Sequence, residues 1–485
     1  MSQPLTTAQR DRAVGAMVGL AVGDALGAGY EFGPAVPPDE VAMIGGGLGD
    51  FAPGEWTDDT SMTLCLAESL VEDTSMAIPM LRALARGLDL AAAPTQDLIV
   101  EDWVEWSYEA ADIGVTTREA LRGTQERSAA AVTRRARGRF EAGVPGAGNG
   151  TLMRTTPLVF ARLWDPDGLT ELARVYSDLT HGDPEAADAC VLWNHAQRHA
   201  ILHGEFDLEA GLDRLPIERQ GMWADRIRTA EAGEPGDFTN NGWVVGALQC
   251  AWSAITTTPA DGPEHVERAL RAAVAAGHDT DTVAAIAGSL LGAKWGVSAI
   301  PLDWRRRVHG WPGLTGRDLA RLAIVAVTGD EWPRRLYEGV DPQGPPVPLA
   351  ADPGVWVGDV FGLADLPHEV TSVVSLCRLG DQQVPAHIPA DKHVEVWLID
   401  NAAPEENPHL EFVARDTVDL IARLRDAGET VYVHCVQARS RTPFIAAMYT
   451  ARVSGVPGVQ ALHEVSQQLP QAHPNRAFRA HLADV

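Results

Sequence analysis

Glycines recur every fourth residue in "TTAQRDRAVGAMVGLAVGDALG", at Gly15, Gly19, Gly23 and Gly27. On an α-helix, positions four apart lie along one side, so these glycines form a strip with no side chains. Each glycine disfavours helix by about 1 kcal/mol relative to alanine. A helix that keeps four must recover that loss elsewhere, and close approach of a neighbouring backbone is the available source. The segment therefore reads as a buried helix in a helical assembly.

The pattern around it agrees. Alanine- and leucine-rich periodic stretches recur near 11–27, 60–72, 79–90, 185–203, 243–256, 264–276, 282–294 and 317–327, while β-branched runs of strand length are rare before residue 330. Composition then changes over 331–354, "EWPRRLYEGVDPQGPPVPLAADPG", where proline, glycine and acids dominate. Beyond it, "VWVGDVFGL", "VTSVVSLCRL", "HVEVWLID" and "TVYVHC" are strand-like, and "ARDTVDLIARLRDAG" and "RTPFIAAMYTARVSG" are helical. The expected architecture is multidomain: an all-α bundle over 1–332, a linker at 333–352, and an α/β domain over 353–485 with a central sheet and flanking helices.

Two segments far apart share one pattern. "EWTDDTSM" places Thr57, Asp58, Asp59 and Thr60 before an apolar helical run, and "AGHDTDTVAAIAGSLLGA" places Asp279, Asp281 and Thr282 before another. Asp and Thr are good N-caps, and either segment alone is accounted for by capping. A cap needs one side-chain oxygen per helix, however, and four carboxylates at two helix starts repel one another unless positive charge sits among them. Mg²⁺, Mn²⁺ or Ca²⁺ would serve, since all take oxygen ligands. The small residues Ala284, Ala285, Ala287, Gly288 and Gly292 would let the second helix pack deeply, and His278 beside it has no assigned role. Asp24, set in an apolar helix, must find hydrogen-bond partners if buried, either supporting a site or simply as a structural bond. In "GAGNGTLMRTTPL", glycines alternate with small polar residues; such a loop can present N–H groups to a phosphate, or be a plain turn. His181 precedes a helix start at Pro184.

Taken together, "GLAVGDALGAGYEF", "WTDDTSM", "GNGTLMR", "THGDPEA" and "GHDTDTVAAIAGSLLGA" resemble, in order and approximate spacing, the ADP-ribosylglycohydrolases of the dinitrogenase-reductase-activating type, over about residues 9–330. The resemblance implies an all-α fold with a binuclear Mg²⁺ or Mn²⁺ site. By it, Thr57, Asp58 and Asp59 would bind metal from one side and Asp279, Asp281 and Thr282 from the other. Asp58, Asp59 and Asp281 would then act at the reacting bond, with Glu31 in catalysis or gating. Gly148, Asn149, Gly150 and Thr151 would hold the ADP-ribose phosphates and ribose, and His181 would stand beside the ligand. The implied reaction is hydrolysis of an ADP-ribose linkage at C1″, on an ADP-ribosylated protein or another ADP-ribosyl substrate. Such cleavage builds oxocarbenium character, which carboxylates stabilise while divalent ions orient the ribose hydroxyls.

The C-terminal region carries a second motif. "VYVHCVQARSRTPFIAA" follows a strand and opens a helix, with five residues between Cys435 and Arg441. At a helix N-terminus beside an arginine, a thiol favours its thiolate, and successive N–H groups with Arg441 would hold phosphate oxygens. His434 precedes the cysteine, and Thr442 is placed to donate to its sulfur. The region resembles tyrosine and dual-specificity phosphatases, which implies a phosphorylated substrate and Asp400 as general acid; Asp400 is equally a plain strand-end loop residue. It departs from that family at Ala438, where glycine is usual; if the position needs close backbone approach or positive φ, alanine strains the loop.

Net charge is −27, and the densest basic stretch, "TRRARGRFEAG", is short, so a broad nucleic-acid surface is not expected. Nor is a membrane partner: the N-terminal apolar run contains Asp24 and lacks a basic leader, and no stretch reads as bilayer-spanning. The cysteines Cys65, Cys190, Cys250, Cys377 and Cys435 are scattered, which suggests a reducing, cytoplasmic setting. Two other functions fit the same residues: an ADP-ribose-binding or structural module without turnover, and a phosphatase with a regulatory ADP-ribose-binding domain.

Overall fold

The structure is a computed structural model that describes residues 4–64, 79–123 and 125–485. The chain forms two compact units, one of Met1–Ile300 with Arg307–Asp330, the other of Pro301–Arg306 with Glu331–Val485.

The first unit is helical. Its axis is helix α1 (Thr7–Gly27), started by a capping box in which the Thr6 hydroxyl accepts from Gln9 N–H and the Gln9 side chain accepts from Thr6 N–H. From Ala13 to Gly27 every residue of α1 is buried. The glycine strip is spent on one neighbour, the helix over Thr280–Trp295. A Cβ added to Gly15, Gly19 or Gly23 would fall under 3.0 Å from backbone atoms of Gly292, Gly288 or Ala284, and one added to Gly27 would strike the Asp281 backbone. The contact is reciprocal, because Gly288 and Gly292 meet the carbonyls of Gly19 and Gly15. Polar bonds close both ends. Ser298 N–H and hydroxyl donate to Asp11 at 2.9 and 2.5 Å, and the Thr280 hydroxyl donates to the Gly27 carbonyl at 2.9 Å.

Two further helices matter for the site. Helix α2 (Asp58–Leu64) carries the first acidic segment; the remainder of the expected helix at 60–72, with Cys65, lies outside the described residues. Helix α3 (Pro184–His203) is bolted to helix α4 (Thr280–Trp295) by Trp193 Nε1 and Gln197 Nε2, which donate to Ser289 Oγ at 3.1 and 2.6 Å. One expectation is corrected. The 24-residue segment Thr7–Tyr30, of hydropathy 1.4, is long and apolar enough to cross a membrane, although 94% of its apolar window is buried inside the unit.

The second unit is built on a five-stranded sheet: β1 (Val347–Pro348), β2 (Val355–Asp359), β3 (Ser372–Ser375), β4 (His393–Glu395) and β5 (Val431–Cys435), in spatial order β1-β2-β5-β3-β4. Only β1 is antiparallel to its neighbour. β5 is central and buried along its whole length. Val431, Val433 and Cys435 face an apolar layer that includes Ile421 from helix α5 (Leu410–Asp426) and Phe444 from helix α6 (Arg441–Ser454). Tyr432 faces the opposite layer with Leu363 and Leu379, the alternation a strand requires. The all-helical unit and the sheet flanked by helices match the expected fold class. The stretch read as a linker contributes β1.

The glycine contact predicts opposite outcomes for one substitution. Gly23→Ala should destabilise by about 1–3 kcal/mol through overpacking. Gly138→Ala, on a helix with nothing within 4 Å of the added methyl, should stabilise by about 0.5–1 kcal/mol. Urea unfolding of the two variants checks this; a stabilised Gly23→Ala would contradict the packing.

Candidate functional site

The α1–α4 contact brings the two acidic segments together. Asp24 on α1, fully buried, accepts from Thr57 N–H at 2.8 Å, Thr60 N–H at 2.9 Å and the Thr60 hydroxyl at 2.5 Å. It thereby fixes the first turn of α2 to α1, which decides its role: Asp24 holds the segment that bears the candidate ligands. The Thr57 hydroxyl lies 3.1 Å from Asp59 Oδ2 and 3.3 Å from Asp281 Oδ2, and Thr282 Oγ1 is 3.5 Å from Asp59 Oδ2. Thr57, Asp59, Asp281 and Thr282 therefore converge from the starts of α2 and α4.

Carboxylate oxygens of Asp24, Asp59 and Asp281 lie within 4.8 Å of one another, and so do those of Glu31, Asp112 and Asp281. Asp281 belongs to both groups. Asp58 points toward the second, accepting from Gly114 N–H at 3.4 Å. Asp279, the residue before α4, is reached through a left-handed turn at Gly277 and His278, with φ of 81° and 64°. His278 itself is exposed; its carbonyl accepts from Phe32 N–H at 2.7 Å, tying the backbone beside Glu31 to that turn.

Burial and mutual repulsion raise these carboxyls. Burial alone is the main cause at Asp24, pushed up to about 6. Burial and then Asp112 push Glu31 and Asp58 up to about 8. Asp59 and Asp281 are held well above the usual carboxylate range. Glu31 Oε2 is buried with no hydrogen-bond partner among the described residues. An all-oxygen pair of clusters of mutually repelling carboxylates, one with an oxygen that has no partner among the described residues, suits hard divalent cations. Asp112 had no place in the sequence reading; nothing in "YEAADIG" marks it, and it reaches the cluster only through the fold.

The glycine loop adjoins this cluster. Asn149 Nδ2 donates to Asp279 Oδ2 at 2.8 Å and to the Asn241 carbonyl at 2.9 Å. Backbone bonds from Asn149 to Gly242 and from Val244 to Ala147 pin the loop. Residues Asn149–Arg154 form a 3₁₀ turn in which Asn149 and Thr151 are buried. His181, also buried, lies beneath the loop: a Cβ at Gly148 would sit 3.1 Å from His181 Nε2, and one at Gly150 3.4 Å from Cε1.

In the second unit, Cys435 ends β5 and Arg441 begins α6, giving the expected strand–loop–helix. Ala438 between them is fully buried with φ of 49°, so this position does need the left-handed conformation. Asp400 is exposed and accepts from Ser440 Oγ at 2.5 Å and Asn475 Nδ2 at 3.1 Å, which sets it against the loop. Arg441 Nη1 donates to the Leu398 carbonyl at 3.2 Å, and its buried Nε has no partner among the described residues. Thr442 departs from expectation: its hydroxyl donates to the Gly358 carbonyl at 3.3 Å, an acceptor stronger than a sulfur. Beneath the loop, Ser375 Oγ bridges His434 Nε2 and His393 Nε2 at 2.7 and 2.9 Å.

Residues 5–337 match the ADP-ribosylglycohydrolase family. The chain belongs to that family. It is 32% identical to the ADP-ribosylarginine hydrolase Tri1 of Pseudomonas putida, over 61% of this chain and 74% of that one. It is 30% identical to the ADP-ribosyl-[dinitrogen reductase] glycohydrolase of Rhodospirillum rubrum, over 64% and 98%. Such similar values tie the helical unit to the family and not to one branch of it. Over another 29% of its length the chain is 28% identical to dual specificity protein phosphatase 1 of Arabidopsis thaliana, covering 69% of that protein.

For this family member the raised carboxyls make a pH prediction. A carboxyl whose folded pKa lies above its unfolded value near 4 stabilises the fold below that value and loses the stabilisation as pH rises through the folded pKa. With Asp24 near 6 and Glu31 and Asp58 near 8, metal-stripped protein should lose thermal stability steadily from pH 5 to 8. Added Mg²⁺ or Mn²⁺ should restore more as pH rises, about 2–3 kcal/mol at roughly a hundred times Kd. Melting temperatures indifferent to metal across that window would contradict a cation site.

Proposed function

We propose that the helical unit removes ADP-ribose from a modified protein side chain by hydrolysis at C1″, with two Mg²⁺ or Mn²⁺ ions as cofactors. What carries the reading is the pair of carboxylate groups sharing Asp281, next to a glycine loop whose Asn149 is hydrogen-bonded to Asp279. Thr57, Asp58, Asp59, Asp279, Asp281 and Thr282 would hold the ions, with Glu31 and Asp112 alongside. Bound there, divalent ions offset the carboxylate charge, orient the ribose hydroxyls and acidify water.

The chain's own groups do the rest. Gly148, Gly150 and Thr151 would present backbone N–H groups to the phosphates, and the absence of side chains at Gly148 and Gly150 leaves room for the His181 ring beneath the loop. Ionised carboxylates around Asp281 stabilise the positive charge that develops at C1″. Without metal, burial and Asp112 push Glu31 up to about 8, and its Oε2 has no hydrogen-bond partner among the described residues, which suits proton transfer to or from the departing group. Asp112, half-buried beside the cluster, would add negative charge that fits a guanidinium. An ADP-ribosylated arginine is therefore the acceptor we favour, in line with the name of the Pseudomonas putida relative.

Release of ADP-ribose from proteins modified on arginine or serine, from ADP-ribosylated nucleic acid and from O-acetyl-ADP-ribose, with Mg²⁺ or Mn²⁺ supplied, tests this. The arginine linkage should be cleaved fastest. Asp59→Asn and Asp281→Asn should each lower turnover by about a thousandfold, and Asp112→Asn should erode the preference for arginine. No release from any substrate would overturn the hydrolase reading; tight ADP-ribose binding by metal-free protein would then favour a binding module.

A second reading is a phosphatase activity of the second unit, favoured by the placement of Cys435 and Arg441. The Cys435 thiolate would attack phosphorus, Asp400 would protonate the departing oxygen, and water would then release phosphate. Left-handed backbone costs a non-glycine residue about 1–2 kcal/mol. If that strain misaligns the loop, Ala438→Gly should raise turnover of para-nitrophenyl phosphate by about three- to tenfold. Cys435→Ser should abolish it, and identical rates in wild type and Cys435→Ser would remove the cysteine mechanism.

A further inference from the structure

Arg154 closes the "GNGTLMR" motif and is buried to 1% exposure. Its guanidinium lies over the Trp103 ring at 4.5 Å, and its Nη1 donates to the Gly150 carbonyl at 3.0 Å, so it grips the loop from behind. Its Nη2 donates to the Tyr176 carbonyl at 3.3 Å and to Thr180 Oγ1 at 2.6 Å. Thr180 Oγ1 lies 2.8 Å from His181 Nδ1.

The direction of that last bond follows from the donors. A guanidinium can only donate, so Thr180 Oγ1 accepts from Arg154. The threonine hydroxyl proton must then go to an acceptor, and among the described residues the one within reach is His181 Nδ1. Nδ1 is therefore the ring's lone-pair nitrogen, and the proton sits on Nε2. That Nε2 lies against Gly148 and Gly150. Burial, and then the charge of Arg154, push His181 down to about 3, so the ring stays neutral at working pH.

Building on the ADP-ribose reading above, we propose that Arg154 and Thr180 are positioning residues: they fix His181 as the Nε2–H tautomer and aim that N–H at the Gly148–Gly150 loop, where it donates to an oxygen of the bound ADP-ribose. A neutral donor there tolerates no swap of tautomer, because an Nδ1–H ring would turn a lone pair toward an oxygen-rich ligand.

Two measurements test this on the full chain. Nitrogen-15 shifts of the His181 ring in the free protein at pH 7 should show Nε2–H; an Nδ1–H tautomer or an imidazolium would overturn the relay. Titration with ADP-ribose in Mg²⁺ should show Kd weakened about tenfold in Thr180→Val, with loss of the single tautomer, and returned to within about threefold in Thr180→Ser. A folded Thr180→Val with wild-type affinity would overturn it; if Thr180→Val does not fold, the wild-type ring shifts and Thr180→Ser decide. Wild type that shows Nε2–H yet binds no ADP-ribose would overturn the ligand assignment, and with it the donor's role, while leaving the Arg154–Thr180 geometry standing.

Discussion

Backbone lies on backbone where α1 meets α4, and the candidate site depends on that contact. Glycines on both helices let the two backbones approach without side chains intervening at those positions. The separation sets where Asp24 and Asp281 stand relative to each other. Asp24 then fixes the first turn of α2 through three hydrogen bonds, and Thr280 locks the start of α4 to Gly27. The acidic site is thus an end condition of a packing contact, and its carboxylates are positioned by backbone geometry rather than by flexible side-chain reach.

Polarity is distributed in a way that serves the chemistry. Several acids are buried together, which is unfavourable unless protons or cations join them. On the proposed reading, ligand recognition would by contrast fall to neutral groups: backbone N–H groups of the glycine loop and a neutral His181. A basic patch near these carboxylates would compete with cations for them. Arg154, the nearby guanidinium, turns its donors to carbonyls and to the Thr180 hydroxyl, so it shapes the loop from behind.

Much of this was legible in the sequence because it is written in local chemistry. Glycine spacing, Asp–Thr clusters before apolar runs and the change of periodicity after residue 330 each have a short-range physical cause. Helices such as Ile217–Ala232 escaped the reading because their core faces are narrow; Trp223, Ile227 and Ala230 are buried on it, among many charged residues. Asp112 was illegible for another reason: it follows a helix in an unremarkable stretch, and only tertiary packing sets it beside Glu31. Thr442 shows the limit of motif reasoning, since its hydroxyl donates to a backbone carbonyl. Ala438 shows its strength, for a missing glycine correctly marked a position of positive φ.

The glycine strip also bears on how such a chain can vary. A helix advances about 100° per residue, so inserting or deleting one residue between Gly15 and Asp24 would swing the carboxylate to another face while pushing side chains into the α4 backbone. Substitutions on the rest of the helix leave that phase intact; a change of length does not. The first helix therefore behaves as a fixed-length gauge, and length variation in relatives of this chain must be carried by the loops, where nothing counts residues.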